Sequence, residues 1–204
     1  GRAGRHREQR RHRRDPRRPG GLHPDGAYAR GGVTGEALAA LPGRLAPVVE
    51  AARAAGIPTV ATLFTVATGP AGTRLVAPHL AELRPFLVTD GFEAGSWGQA
   101  VVDELGAPDV AVEKVAFSAF HASRLDHVLS AMGVETLVAA GIVTNGGVAS
   151  TVRDAQVHGY RTVVVSDGCA AFDPAVHDAT LVSLGSIAEL ATCAEIAASL
   201  TADR

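Results

Sequence analysis

The chain has 204 residues, 47% hydrophobic and 20% charged, with a formal net charge of -2. That length suffices for one well-buried core and is short for two ordinary domains. No apolar run approaches 18 residues and no apolar segment follows the basic N-terminus, so neither a membrane span nor a secretory leader is read, and a soluble cytoplasmic protein is expected.

The two cysteines, Cys169 and Cys193, cannot build a disulfide framework and lack metal-ligand spacing, which fits a reducing compartment. Both are read as buried structural thiols. Charge is distributed unevenly: residues 1–18, "GRAGRHREQRRHRRDPRR", hold nine of the 18 arginines against Glu8 and Asp15. The remaining chain is therefore acidic, with 10 basic and 19 acidic residues. Three readings of the head stand side by side. It is an arm for phosphates or an anionic surface, a disordered tail, or a GC-rich segment read in a shifted frame.

From residue 37 onward helical and strand-like segments alternate, which predicts a parallel α/β sheet. "RLAPVVEAARAAG", residues 44–56, puts Leu45, Val48, Val49 and Ala52 on one face and stops at Gly56. "IPTVATLFTV" reads as a buried strand, "GQAVVDELG" as a short helix and "DVAVEKV" as the next strand. "RLDHVLSAMG" repeats Leu125, Val128, Leu129 and Met132 at helical spacing. The strand "ETLVAAGIV" then hands over directly to the helix "GGVASTVRDAQVHGY", and "RTVVVSDG" is the last clear strand. Asp173 before Pro174 predicts an N-cap with proline in the first turn, opening two closing helices that run to about residue 199.

In such sheets ligands sit at the carboxyl ends of the strands. That rule selects Thr65 to Gly69, Lys114 to Phe120, Thr144 to Gly147 and Asp167 to Ala171. Lys114 is the only lysine of the chain and ends a strand. It is either an ordinary exposed terminus or a cation able to steady developing negative charge. Gly146 and Gly147 open a helix straight after a strand, so their amides are expected to face an anion or oxyanion, or to serve a tight turn alone. His121, His127 and His177 lie in or beside helical segments and are read as solvated or capping. "HPDGAYARGG", residues 23–32, is a turn-rich loop.

Taken together, "VEKVAFSAF" (112–120), "GIVTNGGVASTVRDAQVHGY" (141–160) and "VVVSDGCAAF" (163–172) resemble the isochorismatase-like hydrolase superfamily, and "HPDGAYARGG" and "GSWGQAVVDEL" add to the match. The resemblance covers about residues 22–195. It implies a three-layer α/β/α Rossmann-like fold, a mostly parallel sheet with helices on both faces, and usually an oligomer. Most members of that superfamily use an Asp–Lys–Cys triad. Lys114 matches the lysine, but the cysteine position falls on Gly147. Members that cleave a vinyl ether also carry glycine there and need acid and water rather than a thiol.

Counting back from His23, the family aspartate falls at Pro16, with Asp15 one residue away. "RRHRRDPRRPGG" is charged throughout and holds two prolines, so it cannot be a central buried strand. The first strand is not recognisable, which favours the shifted-frame reading of residues 1–21, ahead of a hydrolase domain over residues 22–204. The resemblance thus implies a hydrolase for a small organic molecule with a vinyl ether or amide type bond, with Lys114 and Asp15 as catalytic groups. Thr144, Gly146 and Gly147 bind an oxyanion or carboxylate, and Trp97, Phe117 and Phe120 form pocket walls. The alternative is an inactive binding or scaffold protein on the same fold. No cofactor or metal is expected, since "LFTVATGPAG" lacks the family's metal pattern. Partners are expected to be a small-molecule substrate and further copies of the chain, not a membrane or nucleic acid.

Overall fold

The computed structural model describes residues 36–89 and 91–202. Residues 1–35, including the arginine-rich head, Asp15 and the "HPDGAYARGG" loop, lie outside the described residues.

Helix α1 spans Glu36–Ala54, beginning earlier than the apolar periodicity from residue 44 predicts. Pro42, Gly43 and Pro47 obscure its first half, because each ordinarily argues against a helix interior. Burial explains why it persists: Leu38, Leu41, Leu45 and Val48 all enter the core, Leu41 completely. At about 25 cal/mol per Å², each such leucine contributes about 2 kcal/mol, enough to offset weak local propensity.

Strand β1 (Val60–Phe64) is followed by the short antiparallel pair β2 (Ala67–Thr68) and β3 (Arg74–Leu75), helix α2 (Pro78–Leu83) and strand β4 (Val110–Lys114). Helix α3 (Leu125–Ala131), strand β5 (Thr136–Ile142), helix α4 (Ala149–Val157), strand β6 (Arg161–Ala170), helix α5 (Pro174–Leu184), strand β7 (Glu189–Ala191) and helix α6 (Cys193–Ala202) complete the order. Among the described residues the parallel strands form two ladders: β1 with β4, and β5-β6-β7. Within the second, β5 is paired among the described residues on one side only, by β6.

Helices cover both faces. On one side α1 and α6 pack Leu38, Leu41, Leu45, Cys193 and Ile196 on Val165 and Ala170. On the other, Val148, Ala149 and Val152 meet Val164, Cys169 and Leu184. A third cluster unites the two ladders beneath α3, with Val112 and Val60 from one and Leu137 from the other around Leu125 and Leu129. This is the three-layer α/β/α arrangement, with mostly parallel strands.

Along β6 the alternation breaks. Between the pairs Ala139↔Val164 and Gly141↔Cys169, β5 advances two residues while β6 advances five. The bulge shifts the phase, so Val164 and Cys169 share one core cluster, whereas Val165 and Ala170 share the other. The N-cap prediction at Asp173 is met: its Oδ1 accepts from the Ala175 amide at 2.8 Å, with Pro174 in the first turn.

Two expectations are corrected. "GQAVVDELG" forms only a short 3-10 turn at Asp103–Leu105. Gly106 there takes φ +65, and Arg53 draws the carbonyls of Leu105 and Ala107 onto its guanidinium, each at 2.8 Å, so the segment is bound to α1 instead of coiling. The closing region holds a short strand, β7, between its two helices; at three residues it is too brief for alternation to reveal.

Candidate active site at the strand ends

Strand β4 alternates: Val112 and Lys114 are buried while Ala111 and Glu113 are exposed. Lys114 is therefore carried inward by the pleat, to 8% exposure, at the carboxyl end of the strand. Its Nζ donates to the Phe117 carbonyl at 2.7 Å. Burial pushes its pKa down from 10.5 to about 8, because desolvation penalises the ammonium more than the amine. Glu113 lies on the opposite face, where Gln99 reaches it at 3.4 Å.

Beyond β5 the chain makes one wide π turn, Thr144–Val148, before α4 begins. The carbonyl of Val143 accepts both the Gly146 amide at 3.0 Å and the Val148 amide at 3.2 Å. The Gly146 amide is thereby engaged within the turn, which corrects the expectation that it projects toward a ligand. A π turn placed at a strand-to-helix junction is itself a frequent mark of function.

The two glycines differ in what they permit. A Cβ at Gly146 would stand 2.8 Å from Val143 Cγ2, with the Phe117 ring at 3.7 Å, so glycine is demanded there by close packing. A Cβ at Gly147 would stand 3.1 Å from Lys114 Nζ, 3.3 Å from the Ile142 carbonyl oxygen and 3.7 Å from that of Phe117. Position 147 thus faces the lysine directly, and the nearest side-chain atom to it is the tip of a flexible chain.

The turn is clamped from both sides. Thr151 Oγ1 donates to the Gly147 carbonyl at 2.7 Å and accepts from the Ala119 amide at 2.9 Å, tying α4 to the loop after Lys114. Thr144 is fully buried, and its Oγ1 lies 2.8 Å from His177 Nδ1 on α5. His177 is therefore not merely solvated or capping, as its helical setting suggests. A hydroxyl-to-imidazole pairing over 33 residues leaves no local sequence signal. Thr144 itself is a support for the turn, with its side chain turned from solvent.

The predicted aromatic walls separate. Phe117 is half exposed and touches the site through its ring and carbonyl. Phe120 instead is 8% exposed and stacks on His158 and Tyr160, at 4.7 and 5.8 Å between ring centroids, within the core under α3. Ser118 and Ala119 before it are buried as well, so the chain has already turned inward when it reaches the ring. Trp97, 38% exposed, belongs to a turn-rich segment fastened by Gln99. The Gln99 side-chain amide donates to Thr65 Oγ1, and the Thr65 backbone amide donates to the Lys114 carbonyl at 2.8 Å. Thr65 and Gln99 are both buried. The strand-end rule reached Thr65, but no motif spacing singled out Gln99.

Neither cysteine belongs to the site. Cys169 is buried against Ala139, and burial pushes its thiol up to about 12; Cys193 is held up at about 11, again chiefly by burial. The Cys193 amide donates to Asp167 Oδ1 at 2.6 Å, so Asp167 is occupied at the start of α6. Among the described residues no group of three or more His, Cys, Asp or Glu is placed to hold a metal. No helix there is long and apolar enough to cross a membrane.

A parallel α/β layer with its lysine, glycine turn and clamps gathered at the strand ends defines a three-layer α/β/α scaffold with a candidate small-molecule site at the carboxyl ends of its strands. The isochorismatase domain model matches residues 26–195, and the chain belongs to the isochorismatase family. It is 33% identical over 173 residues to the ureidoacrylate amidohydrolase of Methylobacterium radiotolerans, covering 79% of this chain and 67% of that one. It is 32% identical over 115 residues to nicotinamidase 3 of Arabidopsis thaliana, covering 56% and 58% respectively. The N-carbamoylsarcosine amidase of Thermoplasma acidophilum superposes with a TM-score of 0.62 at 28% identity, over 78% of this chain and 86% of that one. The chain thus spans 58% and 67% of the length of the two curated relatives.

Proposed function

We propose that this chain hydrolyses a small organic molecule at the end of β4 and β5, without a side-chain nucleophile, with Lys114 as the proton-transfer group. The observation that carries the reading is the approach of position 147 to Lys114 Nζ, 3.1 Å from a Cβ built there. In the family pattern a thiol stands at this position. Glycine leaves the place to substrate and water, bounded by the Ile142 and Phe117 carbonyls.

Lys114 with a pKa of about 8 is a stronger acid than an ordinary lysine and, near neutrality, partly a base as well. For a vinyl ether, its ammonium protonates the alkene carbon and water captures the resulting cation. For an amide, its neutral amine takes a proton from the attacking water. The three named relatives are amide hydrolases by name, which supports testing amides beside vinyl ethers. Phe117 and Trp97 are the walls we assign to the pocket.

A second reading, an inactive binding protein, is favoured by one observation: among the described residues no carboxylate contacts Lys114. The two readings part on turnover. Nicotinamide, ureidoacrylate, N-carbamoylsarcosine and a vinyl ether are to be incubated with the chain, and product followed by mass spectrometry. Product formation that disappears in Lys114→Met supports the hydrolase; saturable binding without product supports the binder. Self-association and a cytoplasmic setting complete the proposal, the former testable by light scattering. Val157 and Val182, 85% and 79% exposed, are apolar surface that an assembly would cover.

A further inference from the structure

We infer that Lys114 is a carbonyl-capturing amine, which condenses with a small aldehyde or α-keto acid at the strand ends to form an imine. The inference rests on the reading of this end of the sheet as a substrate site, but assigns the lysine a covalent role that hydrolysis does not need.

Four observations carry it. Lys114 is the sole lysine. It is buried to 8% exposure, and its hydrogen-bond acceptor among the described residues is the uncharged Phe117 carbonyl. A desolvated amine held by a neutral acceptor is the usual environment of an imine-forming lysine. The atoms around the Gly147 face are backbone carbonyls and the lysine tip. Gly147 also offers no side chain to shield Nζ, and the loop beside it is at the surface, with Val115 and Phe117 54% and 50% exposed. The depressed pKa of about 8 is consistent with these facts.

In the condensation the Nζ lone pair bonds to the carbonyl carbon as the C=O π pair moves to oxygen. The carbinolamine then expels that oxygen with two protons as water, leaving C=N.

The test is reductive trapping. The full chain, at pH 8, is treated with propanal or pyruvate and cyanoborohydride, and the adduct is located by intact mass and peptide mapping. We expect a single side-chain adduct, on Lys114, in the native protein, formed about tenfold faster than in denaturant, where an ordinary lysine is mostly protonated. It is absent from Lys114→Arg and several-fold slower in Gly147→Ala, whose methyl crowds Nζ; circular dichroism checks that both remain folded. Labelling confined to the terminal amine, or Lys114 reacting faster once unfolded, overturns the inference. Parallel turnover assays separate it from the hydrolase reading: adduct without hydrolysis rejects only that reading, and hydrolysis without adduct rejects only the imine.

Discussion

The tip of Lys114 and the bare α-carbon of Gly147 face each other so closely that a single methyl at 147 would stand 3.1 Å from Nζ. Two ladders of the sheet meet at that point, since Lys114 ends β4 and Gly147 follows β5.

A thiol placed there should be activated. In Gly147→Cys the new sulfur lies beside a cation, whereas Cys169 and Cys193 have thiols raised to about 12 and 11. Iodoacetamide at pH 7.5 is expected to modify the introduced thiol at least about tenfold faster than either native cysteine. Equal or slower modification in a folded variant contradicts the geometry of the site. Gly147 does not occupy the left-handed region, so the backbone admits a side chain.

Burial of Lys114 makes stability depend on pH in a definite direction. Its folded pKa is about 8 against 10.5 unfolded, so between those values the unfolded chain binds more protons and stability rises with pH. Below about pH 8 the folded protein carries the full cost of a desolvated ammonium, of order 3 kcal/mol. Lys114→Met should therefore be the more stable protein at pH 7, by up to about 3 kcal/mol, with the difference shrinking as pH rises from about 8 to about 10.5. Urea titrations of both proteins at pH 7 and 10 check this. A constant difference across that window contradicts the assignment.

Thr144 and His177 hold the π turn through a partly buried hydrogen bond of 2.8 Å. His177→Ala leaves the Thr144 hydroxyl buried and unsatisfied and should cost about 1–3 kcal/mol. Thr144→Val, which removes the polar atom at nearly constant shape, should cost less. Denaturant midpoints read both, and a larger loss in Thr144→Val would place the bond elsewhere in the energetics.

Core position Leu41 is fully buried between α1 and the sheet. Leu41→Ala should lose about 2–5 kcal/mol by cavity formation, while Val157→Ala, at an 85% exposed site, should change stability by less than about 0.5 kcal/mol. Thermal unfolding of the pair provides the comparison.

Elements with strong periodicity are legible in the sequence: β1, β4, β5, β6 and the apolar stripe of α3 and α4 follow from their alternation and spacing. The strand-end rule brings out Lys114, Gly146, Gly147 and Phe117 from the chain alone. What stays hidden depends on long-range pairing. The Thr144–His177 bond spans 33 residues and the Gln99–Thr65 bond 34, and the inward ring of Phe120 is set by stacking on His158 and Tyr160. The first half of α1 is masked by its prolines, and β7 by its brevity.

Hydrolysis that uses Lys114 and no thiol is decided by the turnover of amide and vinyl ether substrates by three proteins: the chain itself, the Cys169→Ala/Cys193→Ala double variant and Lys114→Met. The cysteine-free protein is expected to retain its rate while Lys114→Met falls about a hundredfold or more. Turnover abolished in the folded cysteine-free protein, or undiminished in Lys114→Met, would contradict the assignment.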